Sequence, residues 1–154
     1  MLVTNHVLSG AVIGAAARSP WLAFPLGFAS HFVLDTVPHW GRWDSHERFM
    51  QVAVADGLTG LAVMGAATAA ARPDQRVSVL AGMAGAALPD LNKPSNVFFG
   101  RSPFPKRLDD FHGRIQDEAP DRFRSHELVA GAVFVAGFAV LVLGRGRRLR
   151  RAGR

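Results

Sequence analysis

Five apolar segments divide the chain, and polar residues interrupt them at only a few positions. The third and fifth segments are long enough to cross a bilayer as helices, which takes about 20 residues. A stretch rich in proline and charge separates the fourth segment from the fifth. The pattern predicts an all-α fold, an integral membrane helical bundle of about five helices with one polar loop. The segments cover roughly residues 5–18, 20–39, 46–71, 76–91 and 126–143.

Small residues recur at helical spacing in the shorter segments. Gly10 and Gly14 form a GxxxG step, and Gly82 with Ala86 forms a similar one. Such faces let helices approach closely in lipid. A soluble helical bundle is the alternative, because the first and fourth segments are also short enough to be buried helices of a soluble protein.

Basic residues are concentrated on one side of the predicted bundle. If each segment crosses once, one face carries Arg18, Arg72, Arg76 and the tail RGRRLRRAGR, with Asp74 as its acid. The positive-inside rule places this face in the cytoplasm. We therefore expect a multi-pass protein of the bacterial inner membrane with a cytoplasmic C-terminus.

The expected domain organisation follows from this topology. The membrane bundle is expected to cover 1–144, with 91–125 as an extramembrane loop and 145–154 as a basic cytoplasmic tail. The N-terminal sequence MLVTNHVLSG lacks the basic region of a cleavable signal peptide, so we expect the first apolar segment to be retained.

Composition narrows the partners and the chemistry. The formal net charge is +6, and its concentration in the tail favours contact with anionic membrane lipids over nucleic acid. The chain has no cysteine, which excludes disulfides, thiolate metal sites and cysteine nucleophiles.

Histidine and in-helix aspartate fall on the side opposite the basic face. In the second segment His31, Asp35 and His39 are spaced four apart, which gives one stripe on a helix. Ionisable groups inside a span are costly unless they are paired or bound to a metal, and imidazole and carboxylate are zinc ligands. We expect a divalent metal, with zinc as the first candidate. The predicted ligands are His6, His31, Asp35, His39, Asp56, Asp90, His112 and His126.

Several short motifs resemble a family of bacterial membrane-bound metal-dependent hydrolases. They are Asn5-His6 at the start of the first segment, SHFVLD at 30–35, LPDLNKPS at 88–95 and FHGRIQ at 111–116. The family motif has a second aspartate where this chain has Asn92, and two histidines where it keeps His112 alone. The pattern is more distantly similar to zinc-dependent phospholipase C. The resemblance implies metal-dependent hydrolysis.

Two functions of different classes fit these features. The first is hydrolysis of a lipid or other phosphoester, with Asp56 and Asp90 as catalytic residues next to the metal. The second is a non-catalytic membrane scaffold fastened by a structural metal or a polar cluster. A proton or ion pathway is less favoured, because the polar residues lie on one side only. In the enzyme, the basic residues available to neutralise the substrate phosphate are Arg42, Arg101, Lys106, Arg107 and Arg114, and for any single one of them a solvated position in the loop is the favoured alternative.

Overall fold

Helices make up the regular structure of the protein. The computed structural model describes residues 1–41 and 43–152, with side chains described through residue 144 apart from Arg42. Within that part every element is helical, and the only strand-like feature there is one bridge between His39 and Glu118. The α-helices are α1 Val3–Ala17, α2 Pro20–Asp35, α3 His46–Ala70, α4 Arg76–Ala87, α5 Asn92–Phe99, α6 Lys106–Ile115 and α7 Arg124–Ala152. Short 3₁₀ turns cover Pro73–Gln75 and Leu88–Leu91. The all-α prediction is therefore confirmed.

Helix α4 lies at the centre and packs against both α1 and α2. The contact depends on glycine, because a Cβ at Gly10 would overlap the backbone of Gly82, and one at Gly14 would overlap that of Ser78. Gly27 of α2 approaches the carbonyl of Gly82 in the same way. Because glycine has no side chain, the helix backbones touch at these positions, as the GxxxG spacing predicts.

The apolar core lies between α1 and α4, with α3 and α7 packed on the outer side of α1. Val7, Ala11, Val79 and Met83 are almost completely buried there. These side chains sit four residues apart on their helices, so each helix presents one apolar face to the other.

Helices α3 and α7 are each long and apolar enough to cross a membrane, over His46–Ala70 and Arg124–Gly144. Only 11% of the most apolar window of α3 and 6% of that of α7 is buried. Large apolar side chains such as Leu61 and Leu128 are 66% and 75% exposed. A core helix of a soluble protein would bury such residues, whereas a helix in lipid leaves them on its outer face.

The predicted polar loop, 91–125, contains helices α5 and α6. Its end is tied to the end of α2, because Asp117 N–H donates to Asp35 O at 3.0 Å and His39 N–H donates to Asp117 O at 2.9 Å. Ala119 N–H donates in turn to His39 O. These backbone bonds hold the segment after α6 against the end of α2.

The two ends of the bundle differ in chemistry. His6, Asp35 and Asp90 lie where α1 begins, where α2 ends and just beyond α4. Arg18 and Arg76 lie at the opposite end, where α1 ends and α4 begins. Arg42 and the side chains of the predicted basic tail, 145–154, lie outside the described residues.

Candidate metal centre

The carboxylate of Asp35 forms the middle of a buried cluster. Asp35 is the last residue of α2 and is fully buried. Its Oδ1 lies 3.1 Å from His6 Nε2 and 3.0 Å from the amino nitrogen of Met1. Its Oδ2 lies 3.0 Å from His112 Nε2 and 3.2 Å from His31 Nε2. One carboxylate therefore contacts side chains that come from three different helices.

The ring of His31 has a defined tautomer. His31 lies one turn before Asp35 on α2, and its Nδ1 is 2.7 Å from the carbonyl oxygen of Ala86 in α4. A carbonyl can only accept, so Nδ1 carries the proton. In the neutral ring, Nε2 then presents a lone pair toward the Asp35 carboxylate. A backbone carbonyl on the far nitrogen is the usual partner of a metal-ligating histidine.

A second imidazole completes a triangle of acceptor atoms. His112 of α6 places Nε2 2.9 Å from His31 Nε2. The side-chain nitrogen of Gln116, one turn later, lies 3.1 Å from the same His112 atom. With its proton on Nδ1, the His112 ring presents the Nε2 lone pair to this triangle. Two imidazole nitrogens and one carboxylate oxygen meet at 2.9–3.2 Å.

Three acceptors at this distance repel one another unless a cation or extra protons lie between them. Ligands held about 2.0–2.1 Å from one tetrahedral zinc ion are separated by about 3.3 Å. The separations of 2.9–3.2 Å among His31, Asp35 and His112 are slightly shorter than that. The donor set of two imidazoles and a carboxylate fits a divalent metal of the zinc class.

A second group of candidate ligands overlaps the first. His6 stacks on His31 with ring centroids 3.9 Å apart. Its Nδ1 is buried and has no hydrogen-bond partner among the described residues. The ligand atoms of His6, His31 and Asp90 all lie within 4.8 Å of one another, as do those of His31, Asp35 and His112. The structure therefore holds buried His/Asp groups that could bind a metal ion.

Asp90 joins this cluster to the surface through Lys93. Asp90 Oδ1 lies 3.8 Å from His112 Nε2 and 2.8 Å from Lys93 Nζ. Asp90 is buried, whereas the Lys93 side chain is 39% exposed. Burial alone would lower the pKa of Lys93, but the Asp90 carboxylate raises it above the ordinary value. The pair places a positive charge at the edge of the cluster.

Asp56 lies apart from both groups and caps α1. Its Oδ2 accepts from Val3 N–H at 2.6 Å, and its Oδ1 accepts from the hydroxyl of Thr4 at 2.6 Å and from Thr4 N–H at 3.2 Å. A carboxylate at a helix N-terminus accepts hydrogen bonds from the free N–H groups there and interacts favourably with the helix dipole. Both oxygens of Asp56 are therefore occupied in positioning the helix that carries His6.

His39 and His126 also lie outside the two ligand groups. Helix α2 ends at Asp35, so His39 lies beyond it; the ring is buried and donates through Nδ1 to Val37 O at 2.8 Å. His126 is exposed, and its Nδ1 accepts from Phe123 N–H at 3.1 Å at the start of α7. Of the eight predicted ligands, the structure brings together His6, His31, Asp35, Asp90 and His112.

Two further residues, buried Glu127 and half-buried Gln116, support the cluster without having been assigned from the sequence. Glu127 on α7 is buried, and its Oε2 accepts from Asn5 Nδ2 at 2.8 Å and from Leu2 N–H at 3.2 Å. Gln116 contacts His112 directly, as described above. The sequence signal that could have identified Glu127 is an acidic residue in the first turn of an apolar helix, because an acid buried there needs hydrogen-bond donors nearby. For Gln116 the signal was its position one turn after His112.

Comparisons with known proteins add nothing to the geometry described above. No family model, curated protein or solved structure matches this chain. The buried cluster and the exposed apolar helices are therefore the features that point to a function.

Proposed function

We propose that the protein is a membrane-embedded metal-dependent hydrolase that acts on a phosphoester. The observation that supports it best is the triangle formed by His31 Nε2, His112 Nε2 and Asp35 Oδ2, with separations of 2.9–3.2 Å. The proton of His31 is committed to Ala86 O, so its Nε2 offers a lone pair to a cation at the centre of the triangle.

The membrane part of the proposal rests on the exposed apolar helices. Helices α3 and α7 cross the bilayer, and the shorter α1, α2 and α4 lie in the membrane beside them. This arrangement would put the cluster at the outer face of the inner membrane and the basic end in the cytoplasm, in agreement with the positive-inside rule. The outward-facing Trp21, Phe24 and Leu26 of α2, exposed by 87%, 41% and 51%, support this placement in lipid.

The residues of the centre divide into ligands and supports. His31, Asp35 and His112 would hold the metal, with His6 and Asp90 next to them. A divalent cation bound there would lower the pKa of a bound water and polarise a phosphoester oxygen. Asp90 is better placed for a direct part in the chemistry than Asp56, because both oxygens of Asp56 are used in capping α1.

Lys93 has the position of a substrate-binding residue. Its ammonium lies between solvent and the buried Asp90, at the rim of the cluster. A phosphate entering from the membrane surface would meet this charge before it reached the histidines. We assign to Lys93 the role of attracting the anionic substrate to the cluster.

A hydrolysis screen with the metal removed and restored tests the activity. The full-length protein in detergent is assayed on phosphomonoester and phosphodiester lipids and on a chromogenic phosphodiester. We expect activity that disappears with chelator, returns with zinc or another divalent ion, and is absent in His112→Ala. His46→Ala is the control, because His46 is exposed at the start of α3. Activity that survives chelation and His112→Ala would overturn the proposal.

A non-catalytic scaffold is the second candidate, and one observation favours it. The Asp35 carboxylate lies within hydrogen-bonding distance of His6, His112 and the Met1 amino group at 3.0–3.1 Å. Such a cluster fastens α1, α2 and α6 without any chemistry. Bound metal with no hydrolysis of any class of substrate would favour this function.

A further inference from the structure

A cavity lies beside the metal centre, on the side of α7. It has a volume of about 250 Å³ and is bounded by the residues after α2, by the segment before α7 and by the first turns of α7. Met1 lines it, and the amino nitrogen of Met1 is 3.0 Å from Asp35 Oδ1. The cavity is therefore one residue away from the central carboxylate.

The polar wall of the cavity supplies hydrogen-bond donors. Arg122 lines it, and the Nε of Arg122 is buried and has no hydrogen-bond partner in the described part of the chain. His126 also lines it, and its Nδ1 accepts from Phe123 N–H, so the neutral ring carries its proton on Nε2. A buried donor without a partner is costly unless a ligand or water satisfies it. The guanidinium fork of arginine suits phosphate oxygens in particular.

The one carboxylate among the lining residues is already satisfied. Glu127 accepts from Leu2 N–H and Asn5 Nδ2 through Oε2, and from Trp40 N–H at 3.3 Å through Oε1. Its charge is directed into α1 and the segment after α2. An anion in the cavity would therefore meet the donors of Arg122 and His126.

The opposite wall of the cavity is apolar and opens onto the surface of α7. Val37 and Val129 line it and are 46% and 64% exposed. Val133, one turn after Val129, is 63% exposed and continues the same apolar side of α7. A polar wall that meets an apolar wall at the membrane-facing helix has the two-part character of an amphiphile.

We propose that this cavity binds the phosphate headgroup of an anionic lipid-like amphiphile, with Arg122 and His126 on the phosphate and the acyl chain along Val37 and Val129. The proposal depends on the proposed function in one respect: the bound amphiphile is taken to be the substrate because the cavity adjoins the Asp35 cluster. The binding itself needs no metal.

Direct binding to the full-length protein in neutral detergent tests the proposal. Isothermal titration calorimetry is carried out with dihexanoyl phosphatidic acid, with inorganic phosphate and with dihexanoylglycerol. We expect phosphatidic acid to bind at least ten-fold more tightly than either of the other two, because only it satisfies both walls. Inorganic phosphate that binds as tightly as phosphatidic acid would overturn the assignment to an amphiphile.

Two matched pairs of variants locate the site. Arg122→Gln should weaken binding of phosphatidic acid roughly ten-fold or more, as expected for a buried charge-assisted bond. Arg114→Gln, which changes an exposed arginine of α6, should bind as wild type. Val129→Ser should weaken binding about three-fold, whereas Val133→Ser, at an equally exposed position outside the cavity, should not. Equal binding by Arg122→Gln and wild type would overturn the proposal.

Folding and metal binding are controlled separately. Arg122→Lys keeps the charge but not the guanidinium fork, so its affinity should fall between those of wild type and Arg122→Gln. If Arg122→Gln folds poorly, Arg122→Lys serves as the test variant. Binding that persists in chelator-treated protein, together with failure of the hydrolysis screen, would overturn the proposed function alone. Metal-dependent hydrolysis with no effect of Arg122→Gln on binding would overturn this inference alone.

Discussion

Replacing Gly82 by alanine should loosen the bundle and disturb the candidate metal centre together. A Cβ at Gly82 would overlap the carbonyl oxygen of Gly10 and come within 3.0 Å of Gly14 N. Both neighbours are backbone atoms, so they cannot swing away as a side chain would. Such overpacking costs about 1–3 kcal/mol, and the better helix propensity of alanine offsets about 1 kcal/mol of it. We expect a net loss of roughly 0–2 kcal/mol in the free energy of unfolding.

The effect on the site follows from the position of Ala86. This residue lies one turn after Gly82 on α4, and its carbonyl accepts the proton of His31 Nδ1. If α4 moves away from α1 and α2, that hydrogen bond lengthens and His31 loses its defined orientation. Gly82→Ala should therefore also retain metal less tightly.

Chemical unfolding of the detergent-solubilised protein, followed by circular dichroism, measures the first effect. Gly65→Ala is the matched control, because a Cβ at Gly65 of α3 meets nothing within 4 Å in the described structure. That variant should be as stable as wild type or more stable, by up to about 1 kcal/mol. If Gly82→Ala and Gly65→Ala are equally stable, the close α1–α4 packing is wrong.

Three further predictions concern the residues around the cluster. Asp56→Ala should lower the free energy of unfolding by about 0.5–2 kcal/mol, as for a lost helix cap, and leave the metal content unchanged; loss of metal would instead make Asp56 a ligand. Glu127→Ala should cost about 1–3 kcal/mol, since Asn5 Nδ2 loses a buried acceptor, and thermal unfolding next to Glu127→Gln, which keeps an acceptor oxygen, checks it. The pKa of Lys93 is raised in the folded state, so its ion pair with Asp90 stabilises the protein below about pH 10.4 and this stability is lost as the pH rises through the higher folded pKa. In metal-free protein, Lys93→Met should lack this alkaline loss of stability. If wild type and Lys93→Met lose equal stability between neutral and alkaline pH, the pairing is contradicted.

The helices and their small-residue contacts could be predicted from the sequence because both depend on local spacing. The GxxxG step of Gly10 and Gly14 predicts close approach, and the structure places α4 against it. The polar loop was predicted as one unit, whereas it contains α5 and α6. Those helices are short and polar, so their periodicity gave a weaker signal than the long apolar segments.

The candidate site was predictable only in part, for a physical reason. His31 and Asp35 share one helix, so their four-residue spacing fixes their proximity. His39 has the same spacing from Asp35, but α2 ends at Asp35 and Pro38 follows, so the helical argument does not reach it. Asp56 faces the first turn of α1, which no local pattern reveals.

The ligand content of the purified protein tests the central claim most directly. X-ray absorption at the zinc edge on the full-length, zinc-loaded protein should show nitrogen and oxygen ligands at about 2.0–2.1 Å, with imidazole scattering. Metal per chain should fall to background in Asp35→Ala and in His112→Ala and should be unchanged in His46→Ala. Equal metal content in wild type and Asp35→Ala, or no imidazole in the spectrum, would contradict a metal centre at this cluster.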